Sequence, residues 1–432
     1  MNYTLGIRRE DKNEWERRVP ITPEHVKELR EKHNIDIYIQ PSQIRVFSDN
    51  KYQQNGAKVI EDISTSNVIF AIKEIPINFL SKNKTYLFFS HTIKGQKKNM
   101  PMLKKMIELG CNLIDYEKIT NDQNRRLVFF GRYAGIAGMI DTLWAFGQRI
   151  KWQGINTPLS QIKQTINYKN LDEAKEHIVS IGDKIRKNGI PDFIAPIVIC
   201  LAGYGNVSQG AQEIIDLLPV DEIRPKQLEA IHENFSDKII YKVVFKEEDL
   251  VEPIHTEKTF NLQEYYNHPH LYRSVFEQYI GRLSILMNCL YWSEKYPRLI
   301  TKYFLEENYT EQIKLQVIGD ISVDINGAIE FTEKTTTPGN PVFVYNPVRR
   351  DIIEGYRGSG VVVMAVDNLP CELPGESSKA FSDSLYHFIP SIVKADYSVD
   401  FNSLDLPPEI KKAVILYHGK ITPDYEYINN FL

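Results

Sequence analysis

The chain has 432 residues, enough for about two to three domains, and the make-up of an ordinary globular protein: 42% hydrophobic and 25% charged. Its formal net charge of −4 speaks against a surface built for nucleic acid, which is usually basic. Cys111, Cys200, Cys289 and Cys371 stand too far apart for metal or redox spacing, so no disulfide and no metal site is expected. The first ten residues reach Arg8, Arg9 and Glu10 without the apolar core of a signal peptide. The longest apolar run, residues 193–202, is too short to span a bilayer. The expectation is a soluble, cytoplasmic protein with neither a membrane nor a nucleic-acid partner.

Residues 3–8 read as a first strand. Thr22-Pro23 opens a helix, threonine as N-cap and proline at the first helical position. Residues 37–39 form a second strand, and 42–56 a polar connection holding a short helix. Val68-Ile69-Phe70-Ala71-Ile72 is a buried strand that ends at Lys73-Glu74. Tyr86-Leu87-Phe88-Phe89 is another, ending at Ser90-His91. An amphipathic helix over 102–109 and a strand at Asn112-Leu113-Ile114-Asp115 follow. Strand and helix alternate, so this first part is an α/β unit with a mostly parallel sheet. Residues 131–152 form one long helix, rich in small residues at its start and suited to cross between two domains. A further helix is expected over 171–181, strands over 239–245, 315–318 and 361–366, and helices over 381–392 and 408–416.

The second unit opens on Pro196-Ile197-Val198-Ile199-Cys200-Leu201-Ala202, a buried parallel strand that runs into Gly203-Tyr204-Gly205-Asn206-Val207-Ser208-Gln209-Gly210 and a helix over 209–218. Strand, glycine turn and helix hold a dinucleotide pyrophosphate: glycine admits close backbone approach, and the helix N-terminus offers free N–H groups. The usual pattern asks for a third glycine at 208, where this chain has Ser208, with Gly210 two places on. The fold class is therefore α/β, with two Rossmann-like domains of mostly parallel sheet and an interdomain cleft. Residues 1–140 with 372–432 form the substrate-binding, catalytic domain, and 141–371 the dinucleotide-binding domain.

Charged side chains recur where parallel strands end, the place where such folds bind ligands. Lys73, His91, Glu117 and Asp320 all stand there. A lysine partly desolvated beside other cations can lose its proton readily enough to act as a base. A histidine there can donate or accept a proton, or be a hydrogen-bonded structural group. The run from Arg8 to Arg18 is either a solvated loop or a clamp for carboxylates. Glu117 either tunes Lys73 or forms an ordinary ion pair, and Arg126 either clamps a carboxylate or lies on the surface.

Several motifs in order carry a resemblance. They are Arg8-Arg9-Glu10-Asp11-Lys12-Asn13-Glu14-Trp15-Glu16-Arg17-Arg18-Val19-Pro20, Phe88-Phe89-Ser90-His91-Thr92-Ile93-Lys94, Leu113-Ile114-Asp115-Tyr116-Glu117-Lys118, Ala134-Gly135-Ile136-Ala137-Gly138, the glycine loop, Asp320-Ile321-Ser322 and Asp367-Asn368-Leu369-Pro370. Together they resemble the lysine–ketoglutarate reductase module of the bifunctional aminoadipic semialdehyde synthase family, within the alanine dehydrogenase and transhydrogenase superfamily. The resemblance runs from residue 3 to Tyr427. It implies NADPH-dependent condensation of L-lysine with 2-oxoglutarate to saccharopine, with NAD as the alternative cofactor. Small molecules are the implied partners, and a homo-oligomer is compatible with it. The chain ends where the animal protein continues into a second enzyme, so a monofunctional reductase is expected.

The resemblance also implies roles. Lys73 and His91 match the family's acid–base pair, and Glu117 a glutamate near that lysine in lysine-forming relatives. Lys12, Arg18, Lys94 and Arg126 match substrate-binding cations. Gly203, Gly205, Asn206, Val207 and Ser208 match the dinucleotide loop. Asp320 matches an aspartate near the nicotinamide end, and Asp367 and Leu369 a further cofactor contact. About twenty residues past the loop, Arg224 is the expected partner of a 2′-phosphate, with Asp221 or Glu222 the alternative for a ribose hydroxyl.

Overall fold

The β-branched runs become the strands of two mainly parallel sheets, one in each of two units. The computed structural model describes residues 3–310 and 313–432. Unit 1 joins Met1–Phe130 to Pro374–Leu432, and unit 2 is Gly131–Leu373. The boundary drawn at 140/141 from the sequence falls inside the helix Gly131–Trp152, which lies wholly in unit 2.

In unit 1, β1 (Tyr3–Ile7), β2 (Ile35–Ile39), β3 (Lys58–Val59), β4 (Val68–Phe70), β5 (Thr85–Phe88) and β6 (Asn112–Asp115) pair in parallel. The order is β6-β5-β4-β1-β2-β3, so β1 and β4 are central neighbours. Helix α1 (Pro23–His33) starts as expected: Thr22 accepts the His25 N–H, Pro23 enters the first turn, and Asn34 ends the helix at φ 54°. A short helix α2 (Asp49–Gln54) and α3 (Met100–Glu108) follow, the latter burying Met102, Leu103 and Met106.

The C-terminal segment departs from the sequence reading twice. Residues 381–392 are not one helix. Helix Pro374–Tyr386 stops, and Ile389–Lys394 begins with Pro390 in its first turn, where the missing N–H costs nothing. Residues 408–416 are helical only over Pro408–Lys412. Val414–Tyr417 is a strand, antiparallel to β6 and to Lys420–Ile421. Its apolar run has no local feature that rejects a helix; the open edge of β6 decides it.

Unit 2 begins with α4 (Gly131–Trp152) and α5 (Leu171–Asn188). Strand β7 (Ile197–Ala202) leads into α6 (Asn206–Ile215), which starts three residues before the helix read from periodicity. Then come β8 (Val220–Ile223), β9 (Ile240–Phe245), a separate antiparallel ribbon of β10 (Val251–Pro253) and β11 (Tyr272–Ser274), β12 (Ile285–Asn288), β13 (Val317–Asp320), β14 (Val342–Asn346), β15 (Asp351–Glu354) and β16 (Val361–Met364). The main sheet runs β15-β14-β16-β13-β12-β7-β9-β8, antiparallel only at β14. The chain leaves β7 for one side of the sheet and returns at β12 on the other, which makes β7 the switch point.

Two buried carboxyl groups meet in unit 2. Asp141 on α4 is fully buried and Glu372 nearly so. The Thr165 N–H donates to Asp141 Oδ1 at 2.7 Å. Asp141 Oδ2 and both Glu372 oxygens have no donor among the described residues. Burial raises both carboxyls, and the contact between them keeps a proton in the pair. Folding then takes up protons wherever the unfolded carboxyls are ionised. The stability this contributes is complete below the unfolded carboxyl range and is lost as pH rises. We predict that stability falls, and the thermal midpoint with it, as pH rises above the ordinary carboxylate range, with a slope of at most about 1.4 kcal/mol per pH unit for each proton taken up. Asp141→Asn should flatten that slope in scanning calorimetry, and an unchanged slope would remove the pair from it.

Candidate active site

The site in unit 1 is assembled at the carboxyl ends of β1, β4, β5 and β6. The last ladder bonds beyond β4 are Ala71 N–H to Leu87 and Phe89 N–H to the Ile72 carbonyl, so Lys73 is the first residue past the sheet. Beyond β5, His91 adopts φ 50°, a left-handed conformation that costs a histidine about 1–3 kcal/mol. Its Nδ1 lies 2.8 Å from Glu74 Oε1. Lys12 Nζ donates to Glu74 Oε2 at 3.1 Å. Against the cost of burial, the hydrogen bond and charge of His91, with Lys12 beyond, hold the Glu74 carboxyl well below the usual carboxylate range. Asp115 ties the neighbouring ends together by accepting the Ser90 N–H at 3.0 Å and the Glu117 N–H at 2.8 Å.

Arg18 is 3% exposed and forms a two-pronged pair with Glu16, at 2.8 and 2.6 Å, with its guanidinium 4.2 Å over the Phe130 ring. The loop that carries it is pinned by Val19 N–H to Ser378 Oγ and Thr22 N–H to Ser382 Oγ. Lys73 feels this surrounding directly. Burial, then Arg18 and Lys12, push its ammonium below the ordinary lysine value, and Glu16 and Glu74 offset part of that. Its own amine makes no hydrogen bond or ion pair among the described residues. Lys12, Arg18, Lys73 and His91 thus gather with Glu16 and Glu74.

Glu117, expected as the tuning carboxylate, pairs with Arg126 at 3.3 Å and lines a recess of about 490 Å³ with Lys118, Lys412 and Tyr425. The carboxylates acting on Lys73 are Glu16 and Glu74. Neither stands out in the sequence, where Glu74 only adjoins Lys73 and Glu16 lies inside the charged run. Lys94 stands exposed on the loop past His91.

In unit 2 the glycine loop is fitted for a dinucleotide. Gly203 has φ 98°, which favours glycine. A Cβ on Gly205 would meet nothing within 4 Å, so the cradle above it is open. No side chain caps α6, which leaves the first-turn N–H groups of Asn206, Val207 and Ser208 for an anion. The close helix contact usually served by the third glycine belongs here to Gly210 and Gly135. A Cβ on Gly210 would lie 2.0 Å from the Arg132 carbonyl oxygen, and one on Gly135 1.9 Å from that of Val207. Ser208 is buried and accepts from Gln212 Nε2 at 3.1 Å.

Asp320, the last residue of β13, accepts from Asn288 Nδ2 at 2.9 Å, Thr332 Oγ1 at 2.7 Å and the Val323 N–H at 3.2 Å. Burial pushes its carboxyl up to about 6 against those bonds. Asp367 is exposed, and Leu369 packs towards Gly138.

Arg224 stands elsewhere than expected. It follows β8, the sheet edge, and β9 lies between β8 and β7. Glu222 pairs with Lys242 at 2.8 Å, while Asp221 is exposed. The residues beside the glycine loop are those past β9: Lys246, exposed, and Glu247, which accepts from Tyr266 Oη at 2.6 Å. Burial and the Glu247 charge raise the phenol of Tyr204 in the loop itself. Counting residues from the loop finds the next strand in sequence, and here that is not the next strand in the sheet.

Among the described residues no group of three or more His, Cys, Asp or Glu side chains could hold a metal ion, and no helix is long and apolar enough to cross a membrane.

Two domain models match the chain: Alanine dehydrogenase/PNT, N-terminal domain, over residues 6–137, and Alanine dehydrogenase/PNT, C-terminal domain, over 222–424. The solved structure of an L-alanine dehydrogenase superposes with a TM-score of 0.64 at 17% identity, covering 99% of this chain and 100% of that one. A transhydrogenase from Sinorhizobium meliloti superposes at 0.55 and 14%, covering 97% and 100%. At those identities the likeness is one of fold. The chain belongs to the alanine dehydrogenase/PNT family, dehydrogenases with a nicotinamide dinucleotide-binding fold. Within that class it is similar to alpha-aminoadipic semialdehyde synthase of Arabidopsis thaliana, 37% identical over 99% of this chain and 41% of that protein. The mitochondrial form from Mus musculus is 34% identical over 98% and 47%. The chain therefore spans less than half the length of these relatives. A saccharopine dehydrogenase [NAD(+), L-lysine-forming] of Emericella nidulans is 25% identical over 88% of both.

The two kinds of glycine predict two kinds of loss. Gly135→Ala forces a Cβ against backbone, so the melting temperature should fall by an amount equivalent to about 1–3 kcal/mol. Gly205→Ala meets only open space at φ −75°, so stability should hold within about 0.5 kcal/mol while affinity for a nicotinamide dinucleotide drops. Thermal denaturation and fluorescence titration separate the two, and equal losses in both variants would refute the assignment.

Proposed function

We propose that the chain catalyses the reversible reductive condensation of L-lysine with 2-oxoglutarate to saccharopine, with NADPH as reductant. The observation that carries the reading is similarity to aminoadipic semialdehyde synthases along 98–99% of this chain. The lysine-forming saccharopine dehydrogenases support it at lower identity. The cluster of Lys12, Arg18, Lys73 and His91 suits it chemically. Saccharopine has three carboxylates, and Lys12, Arg18, Lys94 and Arg126 supply the positive charge to hold them.

The ε-amine of the substrate must be neutral to attack the keto carbon. Lys73, its proton affinity lowered by burial and by Arg18, accepts that proton. The carbinolamine must then lose water. His91, held through Nδ1 by Glu74, donates the proton that lets hydroxide leave. Glu74 shares its charge between His91 and Lys12 and so keeps the ring in one orientation. Reduction of the resulting imine needs hydride, which is what the bound dinucleotide supplies. Gly203, Gly205 and the first turn of α6 bind its pyrophosphate. Lys246 rather than Arg224 is our candidate for the 2′-phosphate, because it ends the strand next to β7.

The test is loss of NADPH absorbance with lysine and 2-oxoglutarate together. Turnover with pyruvate and ammonia instead would favour an amino-acid dehydrogenase, and no turnover with either mixture a non-catalytic dinucleotide-binding protein. Lys73→Met should lower kcat by about 10²–10⁴ while NADPH affinity stays. Lys246→Ala should weaken NADPH about tenfold or more with little effect on NADH. Arg224→Ala should leave both unchanged, and the opposite pattern would return the 2′-phosphate to β8.

A further inference from the structure

We infer that Glu10 is a positioning residue for Lys73: its carboxylate clasps the backbone that delivers Lys73 beyond the sheet. The inference rests on Lys73 acting in proton transfer as proposed above. Strand β1 pairs with β4 in parallel, and the ladder continues past β1 with the Arg8 N–H donating to the Phe70 carbonyl at 2.9 Å. The next bond of a parallel ladder would run from the Ile72 N–H back to the carbonyl of Arg8. Instead the Ile72 N–H donates to Glu10 Oε1 at 2.6 Å, and the Lys73 N–H to Glu10 Oε2 at 3.1 Å. One side chain thus takes the place of the missing ladder bond at Ile72 and holds the next N–H as well, with both carboxylate oxygens in use.

This matters because Lys73 has left the sheet, and among the described residues its amine has no hydrogen bond or ion pair of its own to fix it. Ile72 still accepts the Phe89 N–H from the β5 side, so the strand end is held on one flank by the sheet and on the other by Glu10. Glu10 is only 7% exposed, so water does not compete well for either N–H. The groups that face it are Arg8 and Glu16 from its own loop and Tyr116 past β6, whose buried hydroxyl has no donor or acceptor among the described residues. Burial first, then Glu16, push the Glu10 carboxyl up to about 7, against Arg8 and the two N–H groups. The clasp needs the ionised form, which is reached as pH rises through that value.

The experiment compares Glu10→Gln, Glu10→Asp and Glu10→Ala with Lys73→Met in the lysine, 2-oxoglutarate and NADPH assay, with pH profiles, NADPH titration and melting temperatures. Glu10→Ala should lower kcat about 10–100-fold, the scale of a displaced catalytic group. Glu10→Gln keeps one acceptor and should lose less. Glu10→Asp is too short for both N–H groups and should fall between them. NADPH affinity should stay within about twofold, since the loop that binds it is in the other unit. In Glu10→Gln the fall in kcat below about pH 7 should disappear. Glu10→Gln with normal kcat, or with a lower kcat and an unchanged pH profile that tracks a lower melting temperature, would assign Glu10 to the fold alone and overturn the inference. Should Glu10→Ala not fold, Glu10→Gln, of the same shape, decides the matter. Full activity in Lys73→Met would sink the functional reading and this inference with it. An inactive Lys73→Met beside normal Glu10 variants would sink only the inference.

Discussion

A partly buried carboxylate needs donors or cations beside it to stay ionised, and Glu74 has Lys12 at 3.1 Å and His91 at 2.8 Å. The rest of the unit 1 site follows from this arrangement. His91 accepts an unfavourable backbone conformation, and its ring is held against Glu74. Lys12 is drawn in from the loop after β1. The positive charge of Lys12 and Arg18 then bears on Lys73, whose amine is left as the group with the weakened hold on its proton. Arg18 is held by a different carboxylate from Lys12: Glu16 takes two of its N–H groups, and burial holds the pair in place.

Unit 2 solves a different problem with different means. It must leave backbone N–H groups unpaired at the start of α6 and still bury the helix. Gly205 keeps the space above the loop clear, while Gly135 and Gly210 let α4 and α6 approach until a single methyl group would collide with backbone. Close packing of two helices fixes the loop without any side chain capping it. Ser208 at the usual third-glycine place is then no defect: it is buried and hydrogen-bonded within α6, and the close contact has moved two residues on.

Much of this was legible in the residues. The strands ending at Lys73, His91 and Asp115, the Thr22 cap and the helix Gly131–Trp152 all follow from local pattern, because a strand or a cap depends on neighbours in the chain. The strand-end positions of Lys73 and His91 follow with them. Glu74, Glu16 and Glu10 were harder to read. Each looks like one more charge in a charged run, and each owes its role to a partner that another strand delivers.

By itself the sequence determined two α/β units, a glycine loop between a buried strand and a helix, and a set of charged residues at strand ends. Only the tertiary structure decided which ends adjoin. It set β9 rather than β8 beside β7, which moves the residues next to the glycine loop from Arg224 to Lys246 and Glu247. It turned Val414–Tyr417 from an expected helix into a strand on β6, and paired Glu117 with Arg126 instead of with Lys73. The reason is the same in each case. Periodicity and capping are set within a few residues, whereas strand order and ion pairing are set by hydrogen bonds and charges that meet only when distant segments pack.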